Sequence, residues 1–382
     1  MSAGLRRGLV DLACRALQAT LPPSLQAWGW AIRCEAANIP DDTQALLFTL
    51  DSLCGLMPRA VASHLLQPFS EGSATMNIFN ATMRRPRAFG IVCAIGAVVL
   101  GLAYMAIAGA PPRYLAINLG ALALGLTMLA ILGRTAATGR RLRGGAIAAM
   151  AGALLATALF GSTVDGAARW VNLDGLAVQP SLILLPVMLV AFSRTRSVLA
   201  TTGIIAAIAA MALQPDRAMA GTLLLCLAVL AMVHRDRHVV VALTAGLTGF
   251  AATLARADTL PLAPYVDQIL YSSFDVHAGA GLAVLAGTAL LLVPAIVGWI
   301  RDADNRATYA AFGAAWFATI LAAALGNYPT PIVGYGGSAI IGYALSLLAL
   351  PKRAGVLAGV APPTCGEPDG PVADRHLLVA LA

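Results

Sequence analysis

Long apolar runs separated by short polar connections fill this chain from residue 87 to residue 352. A membrane-spanning helix needs about 20 mostly apolar residues. Ten runs approach that length, and the pattern therefore predicts an all-α, polytopic membrane protein with ten transmembrane helices. They lie near residues 88–109, 114–133, 145–162, 179–193, 197–213, 218–233, 238–256, 278–300, 306–326 and 333–350.

Arginine is unevenly distributed over the connections between these runs. Connections rich in Lys and Arg, such as "MRRPR" and "SRTRS", alternate with poor ones such as "GAPPR" and "GNYPTP". Cytoplasmic connections of membrane proteins carry an excess of Lys and Arg. With ten spans, every rich connection falls on one side. Both termini are then predicted to be cytoplasmic, and the connection "ARWVNLDGLAVQPS" is predicted to face outward.

Composition supports a membrane protein and excludes two other classes. The chain is 59% hydrophobic and 11% charged, with a mean hydropathy of +0.79, whereas soluble domains carry about a quarter charged residues. The net charge of +7 sits in the short connections, so no nucleic-acid partner is expected. Six scattered cysteines, without metal-ligand spacing, argue against a disulfide framework.

Both ends of the chain differ from the apolar middle. Residues 1–84 contain no spanning run and no signal peptide, and we expect a small cytosolic helical segment there. Whether it is a simple cap or a binding module stays open. An amphipathic helix that could lie on an anionic membrane surface is predicted from the apolar residues Leu5, Leu9, Leu12 and Ala16. "PDDT", residues 40–43, predicts a second helix start with an Asp N-cap. The predicted units are residues 1–84, the membrane domain 85–352 and a flexible cytoplasmic tail 353–382.

Polar residues collect in four stretches next to span ends on the predicted outer side. The stretches are "DGAARWVNLDGLAVQPS", "LQPD", "PYVDQILYSSFD" and "GNYPTPIVGYGGSAIIGYAL". The carboxylates of this side include Asp165, Asp174, Asp216, Asp258, Asp267 and Asp275. Ionisable groups at membrane depth mark sites, although solvated loops with capping Asp residues are the simpler alternative. Arg169 suits a diphosphate through its planar fork, or with Trp170 it anchors the membrane interface.

Three of these stretches resemble the SEDS family in the family's own order. "RWVNLDGLAVQPS" is similar to the family's Arg-Trp to Gln-Pro-Ser signature, with the same spacing. "LQPD" resembles its Gln-Pro-Asp at the outer end of the fifth span. "PTPIVGYGGSAII" resembles its Tyr-Gly-Gly-Ser stretch at the start of the tenth span. The resemblance covers about residues 88–350.

The resemblance implies a function at the outer face of the bacterial inner membrane. SEDS proteins are peptidoglycan glycosyltransferases of cell division or cell shape. They polymerise lipid II, release undecaprenyl diphosphate, and work with a class B penicillin-binding protein. The resemblance also allows a divalent metal cation. Two alternatives stay open: a catalytically degenerate relative that binds lipid-linked precursor or scaffolds partners, and a transporter of such precursors.

The resemblance further implies a set of site residues. The family's proposed catalytic Asp aligns with Asp267 in "YVDQ", and Asp275 in "FDVHAG" is the alternative carboxylate. The implied substrate-binding residues are Arg169, Gln179, Ser181, Asp216, Tyr335, Gly336, Gly337 and Ser338. This chain departs from the family after Gln-Pro-Ser, where the family's Glu and Lys are replaced by Leu182 and Leu185.

The predicted topology can be tested by cysteine accessibility. We expect cysteines introduced at Asn172 and Asn327 to react with an impermeant thiol reagent from outside the cell, and a cysteine at Thr138 to react only from the cytoplasmic side. The reason is the alternation of Arg-rich and Arg-poor connections. Labelling of the Asn172 position from the cytoplasmic side would contradict both the topology and the resemblance.

Overall fold

The computed structural model describes residues 7–8, 10–11, 13–14, 26–49, 51–52, 85–135, 140–164, 167–173, 176–256 and 261–352. The chain divides into two compact units, Met1–Ala81 and Thr82–Ala382. The four apolar positions of the predicted amphipathic helix, residue 138 and the predicted tail 353–382 lie outside the described residues.

The first unit contains a helix at Gln26–Asn38 and another at residues 42–49. Asp41 begins the second helix, and its carboxylate accepts a hydrogen bond from the Thr43 N–H at 2.8 Å. The predicted Asp N-cap is therefore confirmed. A small apolar cluster, made by Val10, Cys14, Ala36 and Ala45, holds the described parts of this unit together.

The second unit is a bundle of helices, and eleven are seen in its described residues. They are α1 (Pro86–Ile107), α2 (Pro112–Thr135), α3 (Arg140–Phe160), α4 (Pro180–Arg194), α5 (Val198–Leu213), α6 (Arg217–Val233), α7 (Arg237–Leu254), α8 (Ile269–Val276), α9 (Ala278–Arg301), α10 (Arg306–Leu325) and α11 (Gly337–Ser346). A 3₁₀ turn at Leu347–Ala349 extends α11. Each of the ten predicted segments overlaps one of these helices, and the short α8 was not predicted.

Six helices of the described chain are long and apolar enough to cross a membrane, namely α1, α2, α3, α7, α9 and α10 together with the 3₁₀ turn that precedes it, Ala303–Leu325. The apolar helices α4, α5, α6 and α11 are shorter. The 15 residues of α4 rise only about 22 Å, less than the roughly 30 Å of a hydrocarbon core. The count of ten spans therefore stays a prediction.

A small antiparallel sheet corrects the all-α prediction. Its strands are β1 (Ser162–Val164), β2 (Ala167–Leu173) and β3 (Leu176–Val178), in the order β1-β2-β3. They occupy the polar connection between α3 and α4. In sequence, both strand connections are an Asp-Gly pair, at 165–166 and at 174–175. Asp-Gly between β-favouring segments is a strong hairpin signal. A pattern of apolar runs does not detect it.

The α4 helix occupies the middle of the bundle because it is apolar on all sides. It packs against α3, α6, α10 and α11. Leu185, Met188 and Leu189 along its length are fully buried. On the opposite side of the core, the rings of Phe312 and Trp316 pack against Tyr343 of α11 at centroid distances of 5.3 and 5.0 Å.

Glycine lets α11 approach α4 closely. A Cβ atom placed on Gly342 would overlap the carbonyl oxygen of Leu182, a backbone atom that cannot rotate away. Small residues at helix contacts permit such backbone approach in membrane bundles. The contact matters for function because it sets the position of α11, whose first residues belong to the candidate site described below.

We expect Gly342→Ala to destabilise the bundle by about 1–3 kcal/mol, the usual cost of overpacking a filled core. The matched control is Gly152→Ala in α3, where a Cβ atom meets nothing within 4 Å. That substitution should be neutral, or stabilising by up to about 1 kcal/mol through helix propensity. Unfolding midpoints of the purified protein in detergent would measure both, and equal midpoints for the two variants would contradict the packing argument.

Candidate functional site

A cavity of about 560 Å³ lies at one end of the bundle, where the sheet and three helix starts meet. Gln179, Asp216 and Gly336 line it, and they are the N-cap residues of α4, α6 and α11. Two loops also contribute to the lining, through Pro261, Ala263, Val266 and Asp267 and through Asn327, Tyr328 and Pro329. The opposite wall is apolar and includes Ile117, Gly120, Ala121, Leu124 and Ile341.

Most of the site residues expected from the sequence come together at this cavity. Eight line it: Arg169, Gln179, Asp216, Asp267, Tyr335, Gly336, Gly337 and Ser338. Ser181 is buried directly behind the lining, hydrogen-bonded to two of the eight. Asp275 differs, because it is exposed on α8 and does not line the cavity. Of the other outward carboxylates, Asp165, Asp174 and Asp258 lie outside the described residues.

A buried polar cluster joins the starts of α4 and α6. The Gln179 side-chain amide donates to the Ser181 hydroxyl at 3.1 Å and to the Asp216 carboxylate at 3.2 Å. The Ser181 hydroxyl also donates to Asp216, at 3.4 Å. The other Asp216 oxygen accepts from the Met219 N–H at 3.1 Å and so caps α6. Asp216 is only 1% exposed, and these donors compensate the loss of its hydration.

Arg169 lies on β2, and only 3% of its surface is exposed. Its guanidinium donates to the carbonyl oxygens of Gln214 at 3.5 Å and Pro215 at 2.5 Å. These carbonyls belong to the tight connection between α5 and α6. Arg169 therefore fastens the sheet to this connection while also lining the cavity, a role that neither of the sequence interpretations included.

Asp267 lies in the loop before α8 and is 7% exposed. Its carboxylate accepts a hydrogen bond from the Ala263 N–H at 2.9 Å. Burial raises the pKa of this carboxyl above its ordinary value, and the hydrogen bond from Ala263 opposes that rise. A partly desolvated carboxylate at a cavity wall has the environment of a general base.

Two loops are locked together around Asp267. The Thr330 N–H donates to the Val266 carbonyl at 2.9 Å, and the Tyr335 N–H donates to the Tyr265 carbonyl at 2.7 Å. A glycine is needed at position 334, since a Cβ atom there would lie 2.9 Å from the Tyr265 carbonyl oxygen.

Three non-glycine residues of these loops have left-handed backbones. Their φ values are 64° at Tyr265, 55° at Gln268 and 71° at Ile332. Such conformations cost free energy and persist only where the surroundings hold them. The contacts between the two loops must therefore hold these conformations, and the same contacts fix the position of Asp267.

Two residues of α2 were missed by the sequence analysis. Tyr114 stacks on Tyr335, with ring centroids 3.9 Å apart and an interplanar angle of 15°. One helical turn later, Asn118 hydrogen-bonds the backbone of Gly334 and Gly336. A signal was present, because a lone Asn inside an apolar run is costly unless it has a partner.

The described residues do not supply a metal site. Among them, no group of three or more His, Cys, Asp or Glu side chains could hold a metal ion. Of the carboxylates that line the cavity, Asp216 already accepts from Gln179, Ser181 and Met219. The described residues thus contain no ready-made cluster of metal ligands, and the divalent cation that the resemblance allows stays a prediction.

Comparison with known proteins gives a fold-level likeness and no family assignment. No protein-family profile matches the chain, and no curated protein matches it. Among solved structures, the chain is similar to the rod shape determining protein RodA of Thermus thermophilus, with 22% identity and a TM-score of 0.49 over 69% of this chain and 94% of that one. An aspartate-to-alanine mutant of the same protein gives 22% identity and a TM-score of 0.48, over 69% and 95%. At these values the likeness assigns no activity to this chain.

Asp216→Ala should destabilise the protein by about 2–4 kcal/mol, because it removes a helix cap and leaves the Gln179 and Ser181 donors buried without their acceptor. The matched control is Ser197→Ala, which removes the cap of α5 alone and should cost about 1 kcal/mol. Unfolding midpoints in detergent give the comparison. If Asp216→Ala costs no more than Ser197→Ala, the cluster contributes nothing beyond capping.

Proposed function

We propose that this chain is a SEDS-like peptidoglycan glycosyltransferase that polymerises lipid II at the outer face of the bacterial inner membrane. One observation carries the proposal: a single cavity collects residues from all three sequence motifs together with Asp267. These residues lie up to 169 positions apart, from Arg169 to Ser338. Independent solvated loops give no reason for such a convergence, whereas a shared ligand does.

The lining of the cavity supports a ligand with a polar head and an apolar tail. Gly120 and Leu124 line the cavity and are also exposed on the surface of α2, so the apolar wall continues to the outside of the bundle. At the polar end, Gly336 begins α11 without a side-chain cap in the described residues. The uncapped first turn of a helix favours an anionic group. A lipid-linked diphosphate has both properties.

Asp267 has the position of a general base in this proposal. Its carboxylate takes the proton from an acceptor hydroxyl as that oxygen attacks the anomeric carbon of the lipid-linked disaccharide. The bond from the anomeric carbon to the diphosphate oxygen breaks, and the lipid diphosphate leaves with the bonding electrons. The proton stays on Asp267 until solvent or the leaving group removes it.

The remaining site residues bind the donor in this scheme. Gly337 and Ser338 offer first-turn N–H groups, Arg169 offers its charge, and Tyr335 forms one wall. Gln179, Ser181 and Asp216 keep the starts of α4 and α6 in place. No step is routed through a metal here, since the described residues show no group of three or more side chains that could hold one. A class B penicillin-binding protein is the expected partner.

A second candidate function is favoured by one observation. Leu182 and Leu185, which replace the family's Glu and Lys, are 6% and 0% exposed and pack in the core. Leu182 lines the cavity and Leu185 does not, and neither position carries a charge, as expected for a degenerate protein that binds the lipid-linked precursor or scaffolds its partners. The transporter alternative needs a polar route through the bundle, and the apolar α4 at its middle argues against one.

Asp267→Asn should lower the rate of lipid II polymerisation by about 10²–10⁴-fold, the usual effect of losing a positioned base. The assay uses purified full-length protein with lipid II, with and without Mg²⁺ or Mn²⁺ and a class B penicillin-binding protein. Asp275→Asn is the matched control, since Asp275 is an exposed carboxylate eight residues away that does not line the cavity, and it should keep wild-type activity.

The raised pKa of Asp267 predicts how stability and activity change with pH. Because the native pKa of Asp267 is raised, the carboxyl binds a proton more tightly in the folded than in the unfolded chain. Its contribution to stability therefore falls as pH rises from the ordinary Asp pKa through the raised one. Asp267→Asn should thus be at least as stable as wild type at neutral pH. The polymerisation rate of wild type should rise with pH through the same interval as the base ionises.

The outcomes separate the candidates. An active wild type with a fully active Asp267→Asn variant would show that the base is a different residue. A wild type that binds lipid II but polymerises nothing under any of these conditions would favour the degenerate binding protein. Absence of both binding and polymerisation would reject the lipid II proposal.

A further inference from the structure

Asn118 is a buried side chain of α2 that forms no part of the cavity lining. It is only 1% exposed. Its amide nitrogen donates to the Gly334 carbonyl at 2.9 Å, and its amide oxygen accepts from the Gly336 N–H at 3.2 Å. Only one orientation of the carboxamide satisfies both contacts, so donor and acceptor are unambiguous. The side chain thus pairs with the backbone on both sides of Tyr335.

The same face of α2 contacts the segment 334–337 at two further points. Tyr114 lies four residues before Asn118 and stacks on Tyr335. Ala121 lies three residues after Asn118, and its Cβ atom is 2.9 Å from where a Cβ atom on Gly337 would be. Residues at this spacing lie on one helical face. A stripe of three α2 side chains therefore lies against the whole segment from 334 to 337.

We propose that Asn118 is a positioning residue for the cavity: it fixes the wall formed by Tyr335, Gly336 and Gly337 in the arrangement that receives the ligand. The inference rests on the proposed function, because those wall residues are its expected substrate contacts. Asn118 itself touches no ligand. Tyr114 contributes ring stacking, and the small Ala121 allows the backbone of Gly337 to approach α2 closely. Of the three side chains, Asn118 is the one whose hydrogen bonds orient the backbone on both sides of Tyr335.

The first experiment follows the wall directly, without any assay of activity. A cysteine-free full-length protein carries the reporter Gly336→Cys, at a position where a Cβ atom meets nothing within 4 Å. Its reaction rate with a thiol reagent, and the mobility of a nitroxide attached to it, are measured in proteoliposomes. Asn118→Leu removes both hydrogen bonds and should raise the reaction rate roughly tenfold or more.

Two controls separate positioning from general loosening. Thr127→Val lies on the same helix and should leave the reporter unchanged, because the Thr127 hydroxyl donates to the Ala123 carbonyl of its own helix. A second reporter, Asn172→Cys on β2, should react at the same rate with or without Asn118→Leu. If Asn118→Leu leaves the Gly336→Cys reporter unchanged, or changes both reporters equally, the proposal is overturned.

Asn118→Asp gives a signature that a merely space-filling residue would not produce. As a carboxylate it still accepts from Gly336 but repels the Gly334 carbonyl, and as a neutral acid it can donate to that carbonyl. We expect the reporter to be mobile at high pH and to return to the parent signal as pH falls, whereas in Asn118→Leu the mobility stays high at every pH. Mobility that does not respond to pH in Asn118→Asp would count against directional pairing.

Polymerisation kinetics complete the test and keep the two proposals apart. In an active protein, Asn118→Leu should raise the KM for lipid II more than it lowers kcat, because it displaces binding contacts and not the base. An unchanged KM in an active protein overturns the positioning role. If wild type is inactive while the reporter responds as expected, the glycosyltransferase proposal fails and the positioning of the wall by Asn118 stands.

Discussion

The need to pair buried backbone groups governs the whole cavity end of this bundle. Three helices begin at the cavity wall, and the first N–H groups of a helix have no partner within it. In an apolar surrounding each unpaired group is costly. Side chains meet part of this cost: the Asp216 carboxylate caps α6, and the Ser338 hydroxyl accepts from the Gln179 N–H at the start of α4. Asn118 accepts from the Gly336 N–H just before α11, whose first turn has no side-chain cap in the described residues. The polar residues of the site are thus also residues that allow helices to begin at the cavity wall.

This double use of polar side chains explains why the short helices and the cavity occur together. Helices α4, α6 and α11 are among the four that are shorter than a typical span, and their starts are cavity residues. Shortening them leaves a volume that irregular backbone can line, and such backbone is tolerated at membrane depth where it borders a cavity. Arg169 contributes to the same arrangement by holding the carbonyls between α5 and α6.

Hydropathy predicts the elements of this fold well because burial in lipid requires long apolar runs, and each predicted run overlaps a helix. It fails for the sheet, whose strands are short and whose signal is the pair of Asp-Gly connections. The resemblance of the motifs identified most of the residues that line the cavity. That they come together could not be predicted, because it depends on packing between segments far apart in sequence. Asn118 stands out in the sequence as a lone Asn in an apolar run, but its partners could not be predicted, because they are backbone atoms of Gly334 and Gly336 and do not appear in a pattern of side chains.

The two leucines that replace charges in α4 do not by themselves decide between an enzyme and a degenerate protein. In the resembling family the replaced Glu and Lys are three residues apart, a spacing at which helical side chains pair. Exchanging a buried ion pair for packed apolar residues is often neutral or stabilising, so two leucines at this spacing do not by themselves argue against an enzyme. Asp267 is meanwhile held by Ala263 and by the loop at Pro329, neither of which belongs to α4. A base that depends on its own loops can survive the repacking of the helix beside it, so the proposed chemistry depends on Asp267 and on the wall of Tyr335, Gly336 and Gly337, and not on Leu182 and Leu185.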